Sequence, residues 1–291
     1  MKTQTYAYYP GCTLHSSAKE YDVSARLVCE KVGIRLQELE GWACCGASSA
    51  HNTSPLLSIA LPAHELQKAE AAGLPLTVAC AMCFSRLKHS SHELTDKKKL
   101  ALISELLGKE FRNTTEVVHL LQVLHGTKEK ISITKPLKGL KVACYYGCML
   151  VRPKEVVNFD DDENPLIMDR LVESLGASAI EWDFKVSCCG ASLPLTRHDI
   201  VLKLSHRILS QAQQLGADCV AVACPMCHSN LDVYQKEIQK KIESRNKNKI
   251  KLPILYFTQL VGLAMGFSPQ QLHLRNHFTD PLPMLRAKGL A

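Results

Sequence analysis

Thirteen cysteines stand in the 291-residue chain, and ten of them fall into two sets of matching order. Each set has a cysteine after glycine (Gly11-Cys12, Gly147-Cys148), a Cys-Cys-Gly (Cys44-Cys45-Gly46, Cys188-Cys189-Gly190) and a Cys-x-x-Cys (Cys80 and Cys83, Cys224 and Cys227). Thirty-four residues separate Cys45 from Cys80, and 34 separate Cys189 from Cys224, so both later elements recur at an offset of 144. Composition alone would produce a Cys-Cys-Gly about 0.03 times in a chain of this length, so two in register mean a duplication. The flanks agree: Tyr8-Tyr9-Pro10-Gly11-Cys12 answers Tyr145-Tyr146-Gly147-Cys148, and Val78-Ala79-Cys80 answers Val222-Ala223-Cys224. The second copy carries eight more residues between its first and second elements, which fits an acidic inserted loop at 158–165.

Thiols in this arrangement bind metal or do redox chemistry. A structural zinc ion takes four ligands, whereas each set offers five. Vicinal cysteines also strain when both turn onto one ion, and a multi-iron centre relieves this by giving each thiolate its own iron. The pattern therefore favours iron–sulfur chemistry over zinc or a transient dithiol pair. The tight Cys-x2-Cys-x2-Cys run of ordinary cubane sites is missing from the sequence. Five thiolates from three separated loops fit either a cluster of unusual shape or a four-cysteine cubane with one thiol to spare. Gly46 and Gly190 permit close backbone approach, so nearby N–H groups can bond to sulfur; a steric need for glycine explains them equally well.

Cys29, on an apolar helical face, and Cys219, at a strand start, read as buried inert thiols. Cys144 reads as core, although a regular strand would turn it to the same face as Cys148. His228, His15, His51 and His198 lie near cluster cysteines, and each is a candidate proton donor to a departing thiolate. Each singly reads better as an ordinary surface or core histidine. Asp160, Asp161, Asp162 and Glu163 lack the spacing and glycine of a calcium loop and read as solvated.

Apolar residues at 46% and charged residues at 22% describe a globular chain with a large core, and its length suggests two domains. The net charge of +7 gathers at Lys97-Lys98-Lys99 and 236–251 without interleaved aromatics, so nucleic acid is not implied. These runs read as solvated helix faces, with docking of an acidic protein the alternative. The first residues lack a secretion signal, which makes the cytoplasm the expected compartment, where clustered cysteines serve metal or redox chemistry. No stretch reaches 18 apolar residues; the best, 252–267, contains Pro253, Thr258 and Gln259, so direct membrane insertion is not expected.

The elements that must position these thiols repeat as well. Residues 6–9, 140–146, 76–79 and 219–223 read as strands running into cysteines, and 21–32, 56–72, 169–175 and 201–215 as helices. Gly33, Gly73, Gly176 and Gly216 fall at helix C-caps. Residues 98–109 and 115–125 read as helices preceding a polar joint. A helix to about residue 241, a basic turn, Ile254-Leu255-Tyr256-Phe257 and a short apolar helix near 260–265 follow; beyond Ser268 the sequence is uninformative. The expected fold class is α/β: two duplicated cysteine-rich α/β domains with short, mostly parallel sheets, related by a pseudo-two-fold. The first spans 1–137 with a helical connector, and the second 138–291 with C-terminal helices. Ligand sites in such sheets gather at strand carboxyl ends, where these cysteines fall.

Two copies of Cys-x31–39-Cys-Cys-Gly-x34-Cys-x-x-Cys, spread over nearly all of residues 1–235, resemble the paired cysteine-rich CCG domains of the family of B-type heterodisulfide reductase subunits. The resemblance implies two noncubane [4Fe–4S] clusters, one held by Cys12, Cys44, Cys45, Cys80 and Cys83, the other by Cys148, Cys188, Cys189, Cys224 and Cys227. It also implies that a disulfide substrate is split between them, with electrons from a C-type cubane iron–sulfur subunit and an A-type flavoprotein subunit. The chain has no cubane motif of its own, so that reading needs the companion. Two other readings stay open: an electron-relay subunit of a glycolate, lactate, succinate or quinone-linked oxidoreductase, and a zinc-stabilised scaffold without redox work.

Overall fold

Short apolar strands alternating with amphipathic helices build two sheets in the computed structural model, which describes residues 4–47, 49–241 and 249–291. The first half runs β1 (Gln4–Tyr9), α1 (Gly11–His15), α2 (Lys19–Lys31), β2 (Ile34–Glu38), α3 (Ala50–Thr53), α4 (Pro55–Ala71), β3 (Leu76–Val78), α5 (Ala81–Glu93), α6 (Lys97–Leu107), β4 (Val117–His119) and α7 (Leu120–Gly126). The second follows with β5 (Lys141–Tyr145), α8 (Cys148–Val151), α9 (Lys154–Val157), α10 (Ile167–Ser174), β6 (Ser178–Ala179), α11 (His198–Gln214), β7 (Cys219–Val222), α12 (Pro225–Asp232), α13 (Gln235–Lys241), β8 (Ile254–Tyr256), α14 (Phe257–Ala264) and α15 (Leu282–Ala287).

All strand pairs are parallel, in the orders β2-β1-β3-β4 and β6-β5-β7-β8. Helices cover both faces of such sheets, and β3 and β7 are buried along their whole length. In each sheet the two central strands feed outward in opposite directions, which opens a crevice between their carboxyl ends. Cys12 lies three residues past β1 and Cys148 three past β5; Cys80 lies two past β3 and Cys224 two past β7. Both copies thus deliver their thiols to the same topological position.

The two halves pack reciprocally. Helix α14 lies on α2 while its counterpart α7 lies on α10, and α5 meets α8 while α12 meets α1. Reciprocal pairs of this kind are the signature of a two-fold relation, here within one chain. One buried core runs through both halves, with Tyr21 stacked on Tyr256 at 4.0 Å and Ser24 hydrogen-bonded to Thr258 at 2.7 Å across the joint.

The expected helix at 115–125 is corrected by the structure. Val117–His119 is strand β4, paired with β3 from Leu76↔Val117 to Val78↔His119, and the helix begins only at Leu120. Two adjacent β-branched valines and the open edge of β3 override the helical pattern. The His119 ring accepts from the Leu121 N–H at 3.1 Å, and the Gln122 side chain answers at the His119 N–H at 3.0 Å, which starts α7 sharply. Strands β2 and β6 were not singled out in the sequence, and most of the expected basic turn, at 242–248, lies outside the described residues.

Candidate metal centre

Three loops in each copy bring the thiols together. In the first, Cys44 Sγ lies 3.9 Å from Cys12 Sγ and Cys45 Sγ lies 3.3 Å from Cys83 Sγ. Side-chain contacts of Cys44 with Cys45 and of Cys80 with Cys83 complete the string. In the second, Cys189 Sγ is 3.5 Å from Cys227 Sγ, Cys148 contacts Cys188 and Cys224 contacts Cys227. Cys80 also contacts Cys224. The two quintets therefore meet inside the molecule, while Cys12, Cys44 and Cys188 are exposed at the opposite ends.

The glycines of the Cys-Cys-Gly loops serve both roles considered for them. Gly46 N–H donates to Cys44 Sγ at 3.5 Å and Gly190 N–H to Cys188 Sγ at 3.3 Å. Both residues have φ in the left-handed region, +68° and +80°, and a Cβ on Gly46 would fall 2.6 Å from Ala50 Cβ. Close approach is needed at Gly11 and Gly147 too, where a Cβ would sit 3.2 Å from Cys83 Sγ and 3.0 Å from Cys227 Sγ. A side chain there would occupy the space beside the sulfur.

Several site residues were not recognised in the sequence. Tyr9 Oη donates to Ala43 O at 2.8 Å and accepts from Cys45 N–H at 2.9 Å; Tyr145 Oη donates to Ser187 O at 2.5 Å. Each phenol ties its β-strand to its own Cys-Cys loop. Burial, then the neighbouring thiols, push both hydroxyls far above the ordinary tyrosine value, so both stay protonated donors. The Lys185 carbonyl accepts from the N–H groups of Tyr146 and Gly147, and its ammonium, buried, pairs with Asp169 at 2.8 Å. His119 Nε2–H donates to Ala79 O at 2.9 Å and also bonds to Ala223 O, the carbonyls just before Cys80 and Cys224. Tyr21 Oη donates to Ala79 O as well, at 2.8 Å. Asn230 Nδ2 reaches Cys189 O at 3.0 Å.

Cys29, Cys144 and Cys219 are buried, free thiols, and burial raises each above its ordinary value, Cys29 to about 12. Among the described residues none of the four candidate histidines hydrogen-bonds a cysteine sulfur. His15 packs edge-on against Trp42, His51 is exposed, and His198 Nε2 pairs with Glu237 at 2.9 Å. His228 Nε2 lies 2.8 Å from His277 Nδ1, and Asp232 accepts from the N–H groups of Phe278 and Thr279 at 2.7 and 2.8 Å. These contacts pin the C-terminal segment, which the sequence did not explain, to the helix that carries Cys227. Asp160 accepts from Leu166 and Ile167 N–H at 2.7 and 2.9 Å, so the acidic loop organises its own backbone.

The donor set fits an iron–sulfur group better than a single ion. Five soft sulfurs converge in each copy, one more than a tetrahedral zinc takes, and backbone N–H groups already point at sulfur as they do around clusters. Cys45 and Cys224 are held well below the ordinary thiol value by hydrogen bonds from neighbouring thiols, Cys44 and Cys83 in one case, Cys227 and Cys80 in the other. Thiolate is the form that ligates metal.

Comparison with known proteins agrees with this chemistry. The cysteine-rich domain family CCG matches residues 6–88 and again 142–232. Over 280 residues the chain is 35% identical to the 8-methylmenaquinol:fumarate reductase membrane anchor subunit of Wolinella succinogenes, covering 94% of this chain and 97% of that protein. It is 30% identical to the B-type subunit of the ferredoxin:CoB-CoM heterodisulfide reductase of Methanosarcina mazei, covering 94% of each. The chain belongs to the family of B-type heterodisulfide reductase subunits. A further protein like these B-type subunits, from Archaeoglobus profundus, is 29% identical, with 92% of each chain covered. A crystal structure of a hypothetical protein from Helicobacter pylori superposes with a TM-score of 0.77 at 17% identity, covering 96% of this chain and 53% of that one. The B-type chain thus shares that fold while spanning about half the length of the Helicobacter protein. Family membership places it among iron–sulfur oxidoreductase subunits. No helix among the described residues is long and apolar enough to cross a membrane.

Proposed function

We propose that this chain holds two noncubane [4Fe–4S] clusters, through Cys12, Cys44, Cys45, Cys80 and Cys83 and through Cys148, Cys188, Cys189, Cys224 and Cys227, and that it reduces a disulfide to two thiols. The contact between Cys80 and Cys224 carries this reading, because it sets two complete quintets side by side. When bound, such clusters supply two one-electron sites at adjacent positions, as needed by a reaction that takes two electrons and two protons per disulfide. The chain's own groups hold the geometry: Tyr9 and Tyr145 fix the Cys-Cys loops, and His119 ties together the carbonyls that precede the two Cys-x-x-Cys elements. Electrons would come from a C-type cubane iron–sulfur subunit and an A-type flavoprotein of the same cytoplasmic complex. The units 1–137 and 138–291 would each carry one cluster.

Iron, sulfide and zinc analysis of the purified protein, with visible absorbance, tests the cofactor. Iron and sulfide near four each per quintet support the reading; a colourless protein with stoichiometric zinc overturns it. Cys45→Ala and Cys189→Ala should each abolish reductant-driven disulfide cleavage, and cleavage that survives both would remove the catalytic role.

A second reading is favoured by the 35% identity to the menaquinol-linked subunit. In it the same clusters relay electrons between a quinol and the rest of a quinone-linked complex, without cleaving a disulfide.

A further inference from the structure

Beside the first quintet, helix α5 continues from Cys83 into the wall of an open groove of about 450 Å³, within the usual range for small-molecule sites. Its walls are mostly apolar, with Leu56 and Ile59 from the start of α4 facing Leu102 and Ile103 from α6. Eight large apolar side chains are exposed among the described residues, and four of them, Leu56, Leu57, Leu102 and Leu106, belong to α4 and α6, two of the three helices that form this groove. Exposed apolar side chains gathered in one place mark a binding site rather than ordinary surface.

The polar groups on the α5 wall are few and specific. Arg86 lines the groove, and its Nε is buried with no hydrogen-bond partner, so the donors it offers a ligand are its terminal guanidinium nitrogens. His89 Nδ1 lies 2.7 Å from Ser85 O, so Nδ1 carries the ring hydrogen and Nε2 is left as an acceptor. A guanidinium donor and an open acceptor lie one turn apart on a helix whose first turn carries Cys83. Along the axis, His89 is about 9 Å from Cys83. In the second copy Asp199 and Arg197, paired with each other, stand at the start of α11, the counterpart of α4.

We propose that this groove is a binding site for a quinol-class ligand, a flat apolar ring whose oxygen accepts from Arg86 and whose hydroxyl donates to His89, with its apolar tail leaving over Leu102 and Leu106. The inference rests on the quinol-linked reading and locates the quinol on this chain. A hydroxylated ring matches one donor and one acceptor at the wall. The leucine collar suits a hydrocarbon tail, and with Lys99 paired to Glu93 the charge left to meet a ligand oxygen is that of Arg86.

Calorimetric titration of the intact protein with the quinol analogue 2-heptyl-4-hydroxyquinoline N-oxide tests the site. One saturable site per chain is expected, weakened about tenfold by Arg86→Met through the lost donor and similarly by Leu102→Glu through a charge in the collar. Leu195→Glu, at an exposed leucine that does not line the groove, should bind as the parent does. Leu102 is half exposed, so its replacement leaves the fold intact even where Arg86→Met does not. Lack of saturable binding, or equal binding by both groove variants, overturns the site. Bleaching of the visible absorbance of the same preparations by reduced menadione separates the two levels. Bleaching that persists equally in both variants leaves the quinol-linked reading standing and removes this groove; lack of bleaching together with lack of binding removes both.

Discussion

His119 is a single residue on which both halves depend, because its one ring hydrogen is shared between the carbonyls that lead into Cys80 and Cys224. Burial pushes its pKa down to about 4, and burial does the same to His277. In the unfolded chain a histidine titrates near 6.5. Below that pH the unfolded chain takes up protons that the fold refuses, so the stability these residues contribute is intact above about 6.5 and is lost as pH falls toward 4. The loss reaches about 3 kcal/mol for each histidine. The melting temperature should therefore fall across this window, and His119→Gln, which keeps a donor but cannot titrate, should flatten part of the slope. An unchanged slope in thermal melts of the variant would take His119 out of the account. Little of this was legible in the sequence. The counterpart of His119 is Tyr256, so the repeat does not flag it, and its partners lie 40 and 104 residues away. The gathering of the ten cysteines was legible because both copies carry identical residues at matching places, whereas the groups that hold them need only the right reach. Tyr9 and Tyr145 show the intermediate case: each stands three residues before its cysteine, so the repeat already pairs them, but only the fold shows that each phenol reaches its own Cys-Cys loop.

The same distinction holds for elements. Helices α2, α4 and α11 begin and end within a few residues of the sequence expectation because their apolar periodicity and glycine stops are local. Strands β4 and β6 have three and two residues, too short for an alternating pattern, and exist because the neighbouring strand offers an unpaired edge. The Cys-Cys-Gly loop and the helix after it also act as one element in each copy, with unequal tolerance. A Cβ on Gly46 would meet Ala50 Cβ at 2.6 Å and Leu61 Cδ1 at 2.7 Å, whereas one on Gly190 would meet Val201 Cγ2 at 3.1 Å. Both substitutions carry a left-handed backbone cost of about 1–2 kcal/mol, and Gly46→Ala adds an overpacking cost of about 1–3 kcal/mol. Denaturant melts should rank Gly46→Ala as the more damaging change. Iron retention in the same preparations should follow that order, and equal losses would mean that the backbone conformation alone matters.

At the scale of the molecule, duplication explains the shared architecture but not the need for both copies in one chain. Each half presents a helix whose main helical partner lies on the other: α14 covers α2, and α7 covers α10. Tyr21, Phe84, Tyr256 and Phe257 are buried in this joint, as ring contacts across it show, with Phe84 meeting Phe159 at 6.1 Å and Tyr21 meeting Phe257 at 6.0 Å. Fully burying each such ring is worth about 1.5–3 kcal/mol, so together they rival the whole stability of a typical domain, about 5–15 kcal/mol. A half without its partner would expose that surface along with its central thiols. Residues 1–137 and 138–291 expressed separately should therefore aggregate or fail to hold iron, whereas coexpression of the two pieces should yield a soluble, coloured pair that copurifies. A soluble, iron-loaded first half on its own would show that each quintet is self-sufficient and that the Cys80–Cys224 contact is not needed to assemble either one.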